Sequence, residues 1–179
     1  VGGTNGFSYY SSGNFSYENK SKSIGILRDF EFKSNKLYCA TSKGLFIKNG
    51  NHILKFKGLD KPVSCIEFDK DENLWIGTEE GLFIFKNDKF KRVSFSHLPS
   101  SNLITFLNSK NGNILVGTNN GLYIIDSYNE SKVLSYSYFG IGEGLVDIET
   151  NLNSSFFDTK GFFWFGTSSG LVRFDYHNA

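Results

Sequence analysis

The sequence has no methionine, and only two prolines, two cysteines and three histidines among its 179 residues. No apolar run approaches the roughly 20 residues that a membrane-spanning helix needs, so no membrane contact is expected. Charge bias is absent too: 19 Lys and Arg stand against 18 Asp and Glu, a net +1. A near-neutral chain with scattered basic residues carries no footprint for nucleic acid or an anionic membrane surface. Cys39 and Cys65 both lie in apolar runs and read as buried thiols, with a disulfide between them left open. His52, His97 and His177 fall in different parts of the chain, none with a second ligand at metal spacing, so no metal site is expected. There is no signal-peptide pattern, because Val1 already sits inside a repeat. The missing Met and the start within a repeat point to a segment of a longer protein.

What the chain has is aromatic residues, glycine and one phrase written again and again. It reads LYCATSKGLFI (37–47), LWIGTEEGLFIF (74–85), ILVGTNNGLYII (114–125) and FFWFGTSSGLVRF (162–174), with a clipped copy, VGGTNGFSYY, at 1–10. The shared glycine falls at Gly6, Gly44, Gly81, Gly121 and Gly170, spaced by 38, 37, 40 and 49 residues. Periods of this size mark solenoids, propellers or arrays. The segments are short, rich in Phe, Tyr, Ile, Leu and Val, and broken by Gly, Asn, Asp and Ser. Strand and turn are expected throughout, and no helix.

One unit parses into VSCIEF, LWIGT, LFIF and KFKRVSF, four strands at a period that fits propeller blades. Middle strands such as LWI and ILV are apolar on both faces, as a blade sandwiched between two others requires. The fourth strand mixes Lys with apolar residues, which suits an outer edge and discourages edge-to-edge pairing. In T-x-x-G the two central residues fit a type I turn, with Gly left-handed in a G1 bulge. The small residue before Thr (Ala40, Gly77, Gly117, Gly166) is expected to lie against a neighbouring blade's side chain.

The expected architecture is an all-β propeller segment of four-stranded antiparallel blades, forming a single domain over 1–179. Three blades are complete (24–57, 62–96, 102–138) and two partial (1–20 and 150–176). Seven such blades would need roughly 260–300 residues at this period. An open arc with apolar faces at both ends is therefore expected, and such faces favour self-association.

Three features could carry chemistry. G-T-S-S-G (166–170) matches a nucleophile elbow, but that motif needs a following helix, and the sister copies hold Glu, Asn and Lys at the same turn. It reads as a hairpin turn. DKDEN (69–73) places Asp69, Asp71 and Asn73 at calcium-loop spacing, but Leu74 stands where that loop needs glycine, and it reads as a polar turn. Trp75 and Trp164 occupy equivalent strand positions and read as core. No catalytic residue, metal or cofactor is assigned. The ligand-binding candidates come from position: the long spacing of 49 is spent in FGIGEGLVDIETN (139–151), on a rim where loops carry function. Glu143, Asp147, Glu149 and Asn151 are the candidates, with Ser101 and Asn102 on the adjacent loop.

LWIGTEEGLFIF and FFWFGTSSGLVRFD resemble the two-component regulator propeller repeat, and GLDKPVSCIEF (58–68) and HLPSSNLI (97–104) resemble the stretches that enter its blades. Residues 148–175 resemble the last blade of such propellers. The family occurs in extracytoplasmic sensor regions of bacterial hybrid histidine kinases, commonly with seven blades. The resemblance implies a periplasmic segment of an inner-membrane sensor kinase that is itself non-catalytic. It would sense a small molecule or oligosaccharide, with other blades and an Ig-like three-tyrosine domain as partners in the parent chain. The alternative it leaves is a structural or dimerisation platform, with the ligand bound elsewhere.

Overall fold

Alternating apolar strands broken by Thr-x-x-Gly turns fold, in a computed structural model, into five small antiparallel sheets. The structure describes residues 2–4, 6–94 and 103–176, apart from the side chains of 19, 20 and 22. The first sheet holds β1 (Gly2–Gly3), β2 (Gly6–Ser11) and β3 (Asn14–Tyr17). The second holds β4 (Leu27–Lys33), β5 (Lys36–Thr41), β6 (Gly44–Asn49) and β7 (His52–Lys55). The third holds β8 (Val63–Phe68), β9 (Leu74–Thr78), β10 (Gly81–Lys86) and β11 (Lys89–Arg92). The fourth holds β12 (Ile104–Lys110), β13 (Asn113–Thr118), β14 (Gly121–Asn129) and β15 (Lys132–Phe139). The fifth holds β16 (Thr150–Phe157), β17 (Phe163–Thr167) and β18 (Gly170–Phe174).

The sheets follow one another around a common axis as a five-blade β-propeller, three blades four-stranded and two three-stranded. Inner strand packs on inner strand: β4 on β8, β8 on β12 and β12 on β16. Four apolar layers fill the gaps. Phe7, Leu27 and Phe46 join the first two sheets, and Leu45, Val63 and Ile76 the second and third. Leu82, Ile104 and Val116 join the third and fourth, and Leu122, Phe163 and Phe165 the fourth and fifth. Middle strands are buried on both faces while β7 and β11 are largely exposed or half-buried, as the sequence pattern requires.

The repeated turn has the expected geometry. Gly44, Gly81 and Gly121 have φ of 118°, 110° and 93°, a region open to glycine. The threonine does more than pattern alone shows. Thr41, Thr78, Thr118 and Thr167 each donate through Oγ1 to the carbonyl of the turn glycine. The first three also accept the N–H two residues on, so the hydroxyl closes the turn from both sides.

Two expectations change. Short 3-10 turns occur at Asn19–Ile24 and Ile141–Glu143. They are connectors of two turns and one turn, with local hydrogen bonds from Ser21 N to Glu18 O and from Glu143 N to Gly140 O, too short to leave a helical period. The small residue before Thr is set partly by its own blade. A Cβ at Gly117 would strike Phe106, and one at Gly166 would meet Ser154 and Asn151, all within the same sheet; only Gly77 is also pressed by Ile104 of the next one. Both cysteines are free and buried. Burial pushes the Cys39 thiol up to about 12 and raises Cys65 well above its usual range. No helix among the described residues is long and apolar enough to cross a membrane.

Candidate functional site: the rim and the axial acid cluster

Three of the six predicted rim residues, Asp147, Glu149 and Asn151, gather at one turn. Inter-blade connections and Thr-x-x-Gly turns share a rim, tied by backbone bonds from Ser42 N to Ile26 O, Asn119 N to Leu103 O and Ser168 N to Glu149 O. Asp147 accepts from Ser168 Oγ, from Ser169 N at 2.9 Å and from Glu149 N at 3.1 Å. These bonds hold its carboxyl down at about 2. Asn151 Nδ2 donates to Thr167 O at 2.9 Å. Asp147, Glu149 and Asn151 therefore converge on the fifth blade's turn. Glu143 stands apart, exposed, its carboxylate accepting from Gly140 N at 2.9 Å. Ser101, Asn102 and His97 lie outside the described residues, as do His177 and the junction at 95–102 between the third and fourth expected blades. Ser168, the serine of G-T-S-S-G, sits in a turn followed by β18 rather than a helix.

DKDEN is a turn built on one carboxylate. Asp69 accepts the N–H groups of Asp71 and Asn73, the Asn73 side chain, Trp75 Nε1 at 2.9 Å and the Tyr128 hydroxyl. Burial opposes its charge, but bonds from Tyr128, Asn73 and Trp75 outweigh that and hold the carboxyl below its ordinary range. The fifth blade repeats the arrangement: Asp158 accepts from Lys160 N, Phe162 N and, at 2.8 Å, Trp164 Nε1.

Sequence reasoning missed the axis. A cavity of about 160 Å³ opens among the inner strands, lined by Asp29, Glu31, Glu67, Asn108, Asn153 and Ser155 together with Ile66, Phe106 and Leu107. Three carboxylates share it. Asp29 Oδ2 accepts Ile66 N at 2.9 Å, tying β4 to β8. Asn108 Nδ2 donates to Ser155 Oγ at 2.7 Å, tying β12 to β16. Asn153 Nδ2 reaches Arg28 O at 2.6 Å and Ser64 O at 3.2 Å, linking the fifth blade to the second and third. Burial raises Asp29 to about 6. Burial and then the nearby Asp29 raise Glu31 to about 6. Burial, then Glu31 and Asp29, raise Glu67 to about 8. The cluster holds its acids partly protonated near neutral pH. Among the described residues no group of His, Cys, Asp and Glu is arranged to hold a metal ion.

The missed signal was acid on inner strands: Asp29 and Glu31 in β4 and Glu67 in the largely apolar β8. Bulges hid it. The inner strands shift register between Leu27 and Asp29, between Val63 and Cys65 and between Ile104 and Phe106, so alternation does not assign their faces.

Comparison with known proteins bears on the repeat first. Residues 57–80 match the family described as two component regulator propeller. They run from the inter-blade connection through β8 and β9 into the turn, and so bear out the resemblance read there. No curated protein matches the chain. Among solved structures, the extracellular domain assigned to a hybrid two component system of B. thetaiotaomicron aligns with TM-score 0.66 and 21% identity, covering 85% of this chain and 22% of that one. The extracellular domain assigned to a one component system of the same organism gives 0.68 and 22%, over 98% and 26% of the two chains. PorZ, a surface component of the type-IX secretion system of Porphyromonas gingivalis, gives 0.67 and 19%, over 91% and 28%. The chain thus spans about a quarter of each of these structures, and what it shares with them is the propeller fold.

Proposed function

We propose that this chain, which carries a two-component regulator propeller repeat, is a signal-input segment of a bacterial two-component sensor. It lies on the extracytoplasmic side of the membrane and performs no catalysis. The repeat at 57–80 is the observation that carries this reading. The likeness in fold to extracellular sensor domains supports it. In this reading a histidine kinase elsewhere in the parent protein does the phosphoryl chemistry, and an Ig-like domain passes the signal on.

A small molecule or oligosaccharide would bind at the rim rather than on the axis. The axial cavity, at about 160 Å³, is below the roughly 300 Å³ at which small-molecule pockets begin. The rim offers Asp147, Glu149 and Asn151 beside Ser168 and Ser169, with Glu143 on the same connection; Ser101 and Asn102 remain candidates from the sequence alone. Calorimetric titration with a panel of oligosaccharides tests this. Binding that weakens tenfold or more (about 1.4 kcal/mol) in a paired Asp147→Ala, Glu149→Ala variant is the expected result. Binding unchanged by that pair overturns the rim assignment, and no binding to any member of the panel favours the platform reading.

The platform reading draws on exposed apolar side chains, Tyr10 and Phe15 on the first blade and Phe156 and Leu171 on the fifth. In this proposal the propeller is an open arc.

A further inference from the structure

One face of the third blade carries three lysines that the repeat does not require. β10 and β11 pair Ile84 with Lys91 and Lys86 with Lys89. Residues directly opposite each other share a face, as do residues two apart on one strand, so these four side chains stand together. Ile84 is buried in the layer shared with the fourth blade, and the intervening pair, Phe85 and Phe90, packs in the layer shared with the second. The lysine face therefore looks toward the fourth blade.

The sister blades put other residues there. Five residues after the turn glycine stand Asn49 in the second blade, Lys86 in the third and Asp126 in the fourth. In the second blade Ile47 and Asn49 pair with Leu54 and His52, where the third has Lys91 and Lys89. Blades thus stack without a cation at these positions. Like charges directly opposite on paired strands repel, so Lys86 and Lys89 weaken the hairpin that carries them.

The three lysines border a cavity of about 240 Å³, lined by Lys86, Asn87, Lys89 and Lys91 of the third blade and Glu130 of the fourth. Asn87 and Asp88 make the β10–β11 turn at φ of 50° and 58°, and Glu130 sits in the β14–β15 turn. The two ends of a strand lie on opposite rims, so both turns are on the rim opposite the Thr-x-x-Gly turns and Asp147. Both blades are four-stranded, each with a neighbour on either side.

Charge in this cavity is unbalanced. Lys91 Nζ donates to Glu130 Oε2 at 2.5 Å. That bond, then the charge of Lys91 and a smaller contribution from Lys86, holds the Glu130 carboxyl below its ordinary range. Among the described residues no carboxylate forms an ion pair with Lys86 or Lys89. Asp88, in the same turn, does not line the cavity. Three cations against one acid leave two positive charges in excess, and a cleft lined by one sign of charge concentrates the field of those charges.

We propose that this cavity binds a dianionic oxyanion, either inorganic phosphate or the phosphate of a monoester. Lys86 and Lys89 hold it, and Lys91 turns from Glu130 to share it. A phosphate monoester carries close to two negative charges above its second pKa of about 6, which matches the excess. Ammonium groups act on it as point charges and need no planar, two-pronged fit. The cavity is smaller than the roughly 300 Å³ at which small-molecule pockets begin, so it takes an ionic head and leaves any carrier outside. This site and the one at Asp147 are independent, and either can exist without the other.

Calorimetric titration at low salt and about pH 7.5, where phosphate is largely dianionic, tests it with inorganic phosphate, glucose 1-phosphate and acetate. One phosphate per chain is expected. Binding should weaken roughly tenfold or more in a paired Lys86→Gln, Lys89→Gln variant and strengthen in Glu130→Gln, which frees Lys91. Acetate, with a single charge, should bind more weakly than phosphate. Tighter binding of the sugar phosphate than of inorganic phosphate assigns a carried phosphate, and equal or weaker binding a free one. Lys57→Gln removes an exposed lysine outside the cavity and should change nothing. The substituted positions are exposed or half-buried, and unchanged circular dichroism verifies the fold. No binding of either phosphate, binding that survives the paired variant, an equal loss in Lys57→Gln, or acetate bound as tightly as phosphate overturns the proposal.

Discussion

Thr118 shows what one side chain does in this fold. It is buried, donates to Gly121 O at 2.9 Å and accepts Asn120 N at 2.9 Å. Alanine there leaves a buried carbonyl and an amide short of partners, so Thr118→Ala is expected to cost about 1–2 kcal/mol in chemical denaturation. Serine, which keeps the hydroxyl, should recover most of it. Ser64 is the opposite case. Its hydroxyl is fully buried and has no hydrogen-bond partner among the described residues. Ser64→Ala removes an unsatisfied group at little cost in volume and should leave stability unchanged or raise it by about 1 kcal/mol in the same assay. This contrast explains how far the sequence could be read. The Thr-x-x-Gly turn closes within four residues, so its chemistry is written locally. Nothing near Ser64 in the sequence says whether its hydroxyl has a partner.

At the scale of the strand, the inner elements carry the titration behaviour. Asp29 and Glu31 on β4 and Glu67 on β8 have folded-state values raised to about 6, 6 and 8, from ordinary values of 3.8, 4.5 and 4.5. The folded chain therefore holds protons that the unfolded chain releases between about pH 4 and pH 8, and stability falls as pH rises through that window. Asp147 and Asp69 work the other way, because their lowered values withdraw stability only below their ordinary range. Thermal melting is expected to peak near pH 5 and decline toward pH 8. Glu67→Gln should flatten that decline and add about 2 kcal/mol at pH 8. A profile identical to wild type would show that Glu67 titrates like an exposed carboxylate. The cluster was illegible in the sequence because Glu31 and Glu67 come from different repeats, brought together by strands whose bulges reset which face each side chain takes. The outer strands β7 and β11 were legible because charged residues mixed with apolar ones fit an edge that is exposed or half-buried.

At the scale of the whole molecule, blade-on-blade stacking makes the protein nearly one-dimensional. Each sheet draws most of its burial from its neighbours, and stability accumulates layer by layer. Strand order, the number of four-stranded units and the two short-handed ends follow from the repeat spacing, because one repeat makes one sheet. Side-chain bonds across the axis do not follow from it. The rim candidates sit between these limits: spacing located the long connection, but only the fold shows that Asp147 and Asn151 already hold the fifth blade's turn in place.

Asn153 gives this architecture a timetable. Its backbone sits at a φ of 50°, and its side chain bonds a carbonyl 125 residues earlier in the chain as well as one 89 residues earlier. A chain emerging from the ribosome can assemble its second, third and fourth blades in succession, but this latch waits until the fifth arrives. Closure over so long a loop comes late in folding. Asn153→Ala should therefore leave the refolding rate near wild type and speed unfolding severalfold in stopped-flow experiments. Slowed refolding would instead place the latch at the start of assembly.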